Sequence, residues 1–132
     1  MSYDINEQVN LSGNYAYVNA TYEDTKANVE DIAPHQVFTQ LEYKSAEKWN
    51  INTQLFYFSE RQRVATDTRD ASAQASIVNL TIEKKDMLND LDAVIAVRNL
   101  FDSDYREPSD GKIAEDYPME GFNIYAELKY RF

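Results

Sequence analysis

Residues 122–132 read FNIYAELKYRF and alternate between two chemistries. One set is apolar or aromatic and comprises Phe122, Ile124, Ala126, Leu128, Tyr130 and Phe132, whereas the intervening, mostly polar set comprises Asn123, Tyr125, Glu127, Lys129 and Arg131. A period of two directs successive side chains to opposite faces of a β-strand, whereas a helix would scatter the apolar set around its axis. About eleven residues are also enough for a tilted strand that crosses a bilayer. The stretch therefore predicts an amphipathic strand of membrane-spanning length.

The same period recurs upstream, for example in residues 49–58, which read WNINTQLFYF. Strands are predicted at 6–23, 35–44, 49–62, 75–85, 91–101 and 119–132. Their connections alternate between long polar segments (24–34, 63–74 and 102–118) and short ones (45–48 and 86–90). Long loops at one end and tight turns at the other are typical of outer-membrane barrels. The predicted fold class is all-β, an antiparallel meander of about six strands that is part of a transmembrane β-barrel.

The two faces of these strands are predicted to meet different surroundings. The apolar set faces lipid, with aromatic girdles at its rims: Tyr43, Trp49, Tyr130 and Phe132 at the short-turn end, and Tyr15, Tyr17 and Tyr57 at the other. The simpler interpretation is that aromatic residues favour strands. The polar set is predicted to line a wet lumen or to contact a plug domain, and it includes Glu42, Lys44, Glu60, Arg98, Glu127, Lys129 and Arg131.

Composition narrows the function classes. The formal net charge is −10, which argues against nucleic-acid binding because phosphate affinity requires clustered Lys and Arg. Cysteine is absent, so disulfides and thiolate metal sites are excluded. The longest apolar run, 93–97, is far too short for a membrane helix. The first ten residues do not resemble a signal peptide, so we expect the chain to begin inside a longer parent protein.

Residues 99–132 carry the most specific motifs. Asn99-Leu100-Phe101-Asp102 ends a predicted strand, Arg106-Glu107-Pro108 and Gly121 lie in the following segment, and the alternation ends in Tyr130-Arg131-Phe132. This arrangement resembles the closing strands of TonB-dependent receptors, in which an apolar strand ends in an NLFD-type motif, a variable external loop follows, and the last strand ends in an aromatic residue. The family-motif residues are thus Asn99, Leu100, Phe101, Asp102, Arg106, Glu107, Pro108 and Gly121.

The resemblance implies that residues 1–132 are the C-terminal part of a receptor β-barrel in the bacterial outer membrane, without its plug domain. Such receptors take up ferric siderophores or similar nutrients, and the TonB complex supplies energy through the plug. The expected partners are outer-membrane lipid, the barrel-assembly machinery, the TonB complex and the nutrient, but not nucleic acid. Neither a cofactor nor enzymatic activity is expected. The residues that match the family's assembly signal are Ile124, Ala126, Leu128, Tyr130 and Phe132; those that contact the ligand are not predicted.

Alternative interpretations concern both the fold and individual residues. A smaller porin-like barrel and a soluble β-sandwich or lipocalin-like binding module would also alternate. His35, the only histidine, lacks the partners of a catalytic or metal site, and the cluster of Asp67, Arg69 and Asp70 is interpreted as a solvated loop. A hard cation such as calcium could bind a further acidic group, although loop acidity is the better interpretation: Asp102, Asp104, Asp110, Glu115 and Asp116.

Six strands are too few to close a membrane barrel, whose smallest examples have about eight. The segments 6–23 and 119–132 are therefore expected to be exposed sheet edges. Such edges pair readily with other chains, so we expect the isolated chain to form oligomers or aggregates.

Overall fold

The computed structural model describes residues 1–109 and 113–132. Nine strands are present in this part of the chain: β1 (Ser2–Asp4), β2 (Val9–Tyr17), β3 (His35–Lys44), β4 (Trp49–Phe58), β5 (Ala75–Leu88), β6 (Leu91–Arg98), β7 (Arg106–Glu107), β8 (Tyr117–Pro118) and β9 (Asn123–Tyr130). The described residues form no helix, so there is no helix that could span a membrane among them.

Seven strands form one antiparallel sheet in the order β1-β2-β3-β4-β5-β6-β9. Apart from the jump from β6 to β9, spatial neighbours are also consecutive in the chain, so the predicted meander is confirmed. Three long loops, 18–34, 59–74 and 99–122, leave the same end of the sheet and are named here the first, second and third loops. Strands β7 and β8 pair with each other inside the third loop.

The predicted strand 6–23 is too long at both ends. Asn6 Oδ1 accepts hydrogen bonds from the backbone amides of Gln8 and Val9, both at 2.9 Å, and this local turn delays the start of β2 to Val9. Beyond Tyr17 the chain enters the first loop. The unpredicted β1 pairs with Asn10–Ser12, so the edge of the sheet is β1 and the free part of β2, rather than the whole segment 6–23. The other edge is β9, as predicted.

Other boundaries also differ from the prediction. Strand β4 ends at Phe58 rather than at 62, and β9 spans Asn123–Tyr130 rather than 119–132. Strand β6 ends at Arg98 because Asn99 adopts a left-handed conformation with φ 46°. Strand β5 continues to Leu88, past an irregularity in its pairing with β6 that contains Asp86 at φ 48°.

The sheet separates its side chains as the alternation predicts. Across β2 to β9, the paired positions Leu11, Leu41, Thr53, Leu80, Val97 and Ile124 share one side, named here the apolar face. The opposite side, the polar face, carries among others Ser12, Gln40, Gln54 and Asn79. Cross-strand partners lie on the same face, so one register fixes the chemistry of both faces over the whole sheet.

The apolar face is not covered by protein. Leu41 is 42% exposed, Ile95 47% and Leu128 68%, and among the described residues the buried hydrophobic side chains are Ala33 and Ala75. A β-sandwich or lipocalin-like module would bury one face of its sheet in a dry core. The single-layered sheet excludes that alternative for the described residues.

Candidate functional site

The apolar face carries aromatic residues at both ends of the strands. Near the short turns lie Tyr43, Trp49 and Tyr130, which are 36%, 40% and 61% exposed. Near the long loops lie Tyr15 and Tyr17 with His35 between them; the Tyr15 hydroxyl is 2.8 Å from His35 Nδ1, and the Tyr17 ring centroid is 5.2 Å from that of His35. His35 is thus part of an aromatic cluster on the apolar face.

The polar face is layered along the strands. Gln40 and Gln54 face each other across β3 and β4, and Gln54 Nε2 donates a hydrogen bond of 3.1 Å to Gln40 Oε1. One step toward the long loops the surface becomes apolar: Phe38, Phe56 and Ile77 are cross-strand partners, and the two phenylalanine rings are 5.0 Å apart. The polar face therefore combines hydrogen-bonding amides with an apolar patch next to the long loops, formed by Phe38, Phe56 and Ile77 and named here the shelf.

The third loop folds across the shelf. The ring of Tyr105 stacks on that of Phe58, with centroids 6.1 Å apart and planes at 11°. Arg61 lies 5.8 Å from the same Tyr105 ring and pairs with Glu107, which also accepts a hydrogen bond from the Tyr105 hydroxyl. Arg61 is 7% exposed, so this contact is a largely desolvated cation–π and ion-pair arrangement.

A second ion-pair group joins the second and third loops. Arg63 binds Asp116 with two hydrogen bonds, Nη1 to Oδ1 at 2.7 Å and Nη2 to Oδ2 at 2.5 Å. Arg69 also binds Asp67 with two donors, Nε to Oδ1 at 2.9 Å and Nη2 to Oδ2 at 2.6 Å, and its Nη2 donates to Ser109 Oγ at 3.0 Å. Planar bidentate pairing fixes orientation as well as distance. These residues, Arg63, Asp67, Arg69, Ser109 and Asp116, are named here the loop latch.

The loop latch keeps its carboxylates ionised. Hydrogen bonds from the side chain and the backbone amide of Arg69 lower the pKa of Asp67 to about 2. The hydrogen bonds from Arg63 hold the pKa of Asp116 well below its usual range, and Asp116 in turn raises the pKa of Arg63. The Asp67 side chain is only 5% exposed, so its interpretation as part of a solvated loop is wrong; Asp70, in contrast, is exposed.

The first loop contacts the second through the main chain. The Asp31 amide of the first loop donates a hydrogen bond to the Gln62 carbonyl of the second loop at 2.9 Å. Within the first loop, the Tyr22 hydroxyl donates to Glu30 at 3.0 Å. Burial, followed in magnitude by the nearby Glu30, raises the pKa of Asp31. The three loops are therefore connected to one another.

Asn99, the first residue of the predicted motif, is the most deeply buried of the polar side chains at 2% exposure. Its Nδ2 donates to the carbonyls of Ser103 at 2.9 Å and Glu120 at 3.2 Å, and its Oδ1 accepts from the Ser103 amide at 2.9 Å. The Asn99 amide donates to Asn79 Oδ1 at 3.0 Å. The Asn99 side chain thus joins the start and the end of the third loop, and the Asn99 backbone amide ties this turn to Asn79 of strand β5.

The other motif residues divide between this turn and the loop. Asp102, at φ 50°, accepts a hydrogen bond from the Phe122 amide at 2.8 Å, and a Cβ at Gly121 would lie 2.9 Å from the same Oδ1. Gly121 therefore leaves room for the Asp102 carboxylate. Leu100 and Phe101 lie in the turn after Asn99 rather than in a bulge, and Phe101 is 72% exposed. Pro108 follows β7 in the third loop.

The acidic residues considered for calcium are bound to other groups. Asp104 and Glu115 both pair with Arg106, at 3.3 and 3.1 Å, and Asp116 belongs to the loop latch. Asp110 lies outside the described residues. Within the described residues no group of three or more potential ligands is placed to hold a metal ion.

Two functional residues, Arg61 and Arg63, are not predicted from the sequence. The one feature of the sequence that could have indicated them is the Arg-x-Arg spacing at the end of a predicted strand.

The same fold occurs in solved structures of transporters and receptors. The chain matches the copper transporter OprC with a TM-score of 0.78 and 18% identity over 99% of its length. It matches the ferric enterobactin receptor PfeA from Pseudomonas aeruginosa, a Q482A mutant in complex with enterobactin, with a TM-score of 0.77 and 15% identity over 97%. For the siderophore receptor PirA from Acinetobacter baumannii the values are 0.76, 16% and 99%. The described sheet is therefore similar in fold to part of the β-barrel of these receptors.

The fold expected from the NLFD-type motif and the terminal alternation is thereby confirmed. The chain covers 23%, 21% and 21% of these three structures, so it spans about a fifth of their length. No protein-family model matches the sequence, and no curated protein matches it either.

Proposed function

We propose that this chain forms part of the wall of a TonB-dependent receptor that imports a scarce nutrient across the bacterial outer membrane. The observation that carries the proposal is the bare apolar face, on which leucine and isoleucine side chains remain exposed across the whole sheet. In water such a surface would promote aggregation, whereas in a bilayer it is the stable arrangement. The apolar face then contacts lipid, and the polar face lines the interior of the barrel.

Residues 1–132 would be the C-terminal part of the barrel, and the plug would belong to another part of the parent protein. The short turns would face the periplasm and the three long loops the outside. The nutrient would be a ferric siderophore or a copper complex, because the proteins of similar fold include receptors for the former and a transporter of copper. The TonB complex would act through the plug, and no covalent chemistry is proposed for this segment.

The alternation at the end of β9 is proposed to be the recognition signal for the barrel-assembly machinery. All five of its residues are exposed: Ile124, Ala126, Leu128, Tyr130 and Phe132. We expect Phe132→Ala to lower the amount of protein in the outer membrane, whereas Lys129→Gln on the polar face should leave it unchanged. Equal amounts for both variants would contradict the proposed role.

Uptake measurements test the proposed function. Cells with and without the protein are starved of iron or copper and supplied with radiolabelled ferric siderophores or copper, in the presence and absence of the TonB complex. We expect uptake that requires both the protein and the TonB complex, and recovery of the protein in the outer-membrane fraction. Uptake that persists without the TonB complex would favour a porin-like channel, and recovery in a soluble fraction would refute the membrane placement.

A further inference from the structure

The apolar face contains one charged side chain. Among the paired positions of β1 to β6 and β9, the register places apolar, aromatic, hydroxyl or imidazole side chains on this face, with Lys84 as the exception. Lys84 pairs with Trp49 on one side and with Ala93 on the other, and Ala93 in turn pairs with Leu128. A lysine among such neighbours is unexpected unless something outside the sheet compensates its charge.

The local contacts of Lys84 satisfy only part of its binding capacity. Its Nζ lies 5.1 Å from the centroid of the Trp49 ring and donates a hydrogen bond to the Glu47 carbonyl in the adjoining turn. No carboxylate of the described residues forms a salt bridge with it. An ammonium group has three N–H donors, and one carbonyl with one aromatic face leaves a donor free and the positive charge without an anionic partner.

The position of Lys84 along the strand corresponds to an interface. From Trp49 to Tyr57 on β4 the strand advances roughly 26 Å, or roughly 20 Å along a barrel axis tilted by about 40°. That height is close to the apolar band of about 25 Å in membrane barrels. Lys84, paired with Trp49, therefore lies at the edge of the band nearest the short turns, where a charge costs far less than at the centre.

We infer that Lys84 and Trp49 bind the headgroup phosphate of an anionic phospholipid at the membrane edge nearest the short turns. The inference rests on the proposed placement of the sheet in a membrane. It commits to an anionic lipid because the ammonium carries a charge that no described carboxylate neutralises, and because the flanking Trp49, Ala93 and Leu128 would lie against acyl chains. Lysine side chains reach toward headgroups in this way while their methylene groups remain in apolar surroundings.

The neighbouring lysine provides a matched control. Lys85 has the same charge and lies one residue further along β5, but its Nζ is 4.0 Å from Glu83, a residue of the polar face. A general attraction between the protein and an anionic membrane would depend on both lysines alike. Binding at the apolar face would depend on Lys84 alone.

Trp49 makes the site directly observable because it is the only tryptophan of the chain. The full 132-residue chain, whose exposed sheet edges we expect to pair between copies, is reconstituted into phosphatidylcholine vesicles, and circular dichroism checks that the β-sheet is retained. A minor fraction of lipid with brominated acyl chains is then added, either phosphatidylglycerol or phosphatidylcholine, and quenching of Trp49 fluorescence is measured relative to the unbrominated lipid. For wild type and Lys85→Gln we expect roughly fivefold stronger association of phosphatidylglycerol, the increment typical of one lysine near a membrane surface.

The variants separate the outcomes. Lys84→Gln should reduce the preference to about one while bromine quenching persists, and Lys84→Arg should retain the preference. Equal quenching by both lipids in the wild type would overturn the inference and leave the proposed function intact. A preference lost equally in Lys85→Gln would also overturn it, in favour of general electrostatic attraction. If neither brominated lipid quenches Trp49, the apolar face does not contact lipid, and the proposed function fails as well.

Discussion

The guanidinium of Arg63 and the carboxylate of Asp116 lie side by side, with Nη1 2.7 Å from Oδ1 and Nη2 2.5 Å from Oδ2, although 53 residues separate them in the chain. Both side chains are largely buried, at 8% and 12% exposure. The pair is one of several contacts between the second and third loops, together with those of Arg61 with Glu107 and of Arg69 with Ser109, and Asp116 also accepts the Ser109 amide at 3.1 Å. The two loops should therefore open together rather than separately.

Asp116→Asn should release the third loop. The substitution removes the charge that Arg63 and Arg69 share, and a hydrogen bond to a charged group contributes about 1.5–3 kcal/mol. We expect hydrogen exchange of the amides of 106, 107, 109, 116 and 117 to accelerate by at least about tenfold, with the sheet amides unchanged. Glu115→Gln is the control, because Glu115 is 80% exposed and pairs with Arg106 at the surface. Equal acceleration in both variants would show that the buried pair does not hold the loops.

The loop latch should loosen in acid but not near neutral pH. The pKa of Asp67 is lowered from 3.8 to about 2, so its ionised form stabilises the folded loops. This stabilisation is fully present above pH 4 and is lost as the pH falls through the lowered pKa. We expect the hydrogen-exchange rate of the amides in 59–74, relative to that of an unfolded peptide at the same pH, to rise between about pH 4 and pH 2. The rise should be smaller in Asp67→Asn, and loosening between pH 5 and 7 would disagree with the structure.

Sequence alone predicts the sheet well because alternation is a local signal. Strand β3 matches the predicted bounds at both ends, and the residues assigned to the two faces of 49–58 lie on those faces in the structure. Once the register is known, the alternation also shows that Lys84 is a charged residue on the apolar face. What the alternation does not fix is where a strand gives way to a turn, as at Val9 and Arg98, where an asparagine redirects the chain.

The sequence predicts the loops less well than the sheet, and the reason is physical. The ribbon of β7 and β8 has two residues in each strand, too few to show a period. The loop latch joins Arg63 to Asp116 across two loops, and an ion pair between distant segments leaves no local pattern. The sequence identifies the NLFD-type motif as a set of residues, but the burial of Asn99 and the hydrogen bond from its amide to Asn79 depend on strands β5, β6 and β9 being neighbours.

Asn99→Ala should destabilise the fold more than any exposed substitution in the same motif. The change leaves the Ser103 and Glu120 carbonyls and the Ser103 amide without their partner, and alanine tolerates φ 46° poorly. With buried unpaired groups costing about 1–3 kcal/mol each, we expect a loss of about 3 kcal/mol, measured as urea unfolding in detergent micelles.

Two companion variants locate the cause of that loss. Asn99→Gly relieves the backbone conformation but not the missing hydrogen bonds, so it should remain destabilised. Phe101→Ala, at a position that is 72% exposed, should cost less than about 1 kcal/mol. If Asn99→Gly were as stable as the wild type, the side-chain hydrogen bonds would not be what holds the third loop.

The membrane placement itself predicts a sharp contrast between adjacent residues of β3. Leu41 lies on the apolar face, away from both ends of strand β3, whereas Gln40 lies on the polar face beside Gln54. Leu41→Lys would place an ammonium in the hydrocarbon region, at a cost of about 2–4 kcal/mol near the midplane. Gln40→Lys removes one amide–amide hydrogen bond but exposes its charge to the wet interior, at a cost of about 1 kcal/mol. Urea unfolding from lipid vesicles measures both values. If Leu41→Lys proves as well tolerated as Gln40→Lys, the apolar face faces water or protein, and the wall must be oriented differently or not inserted at all.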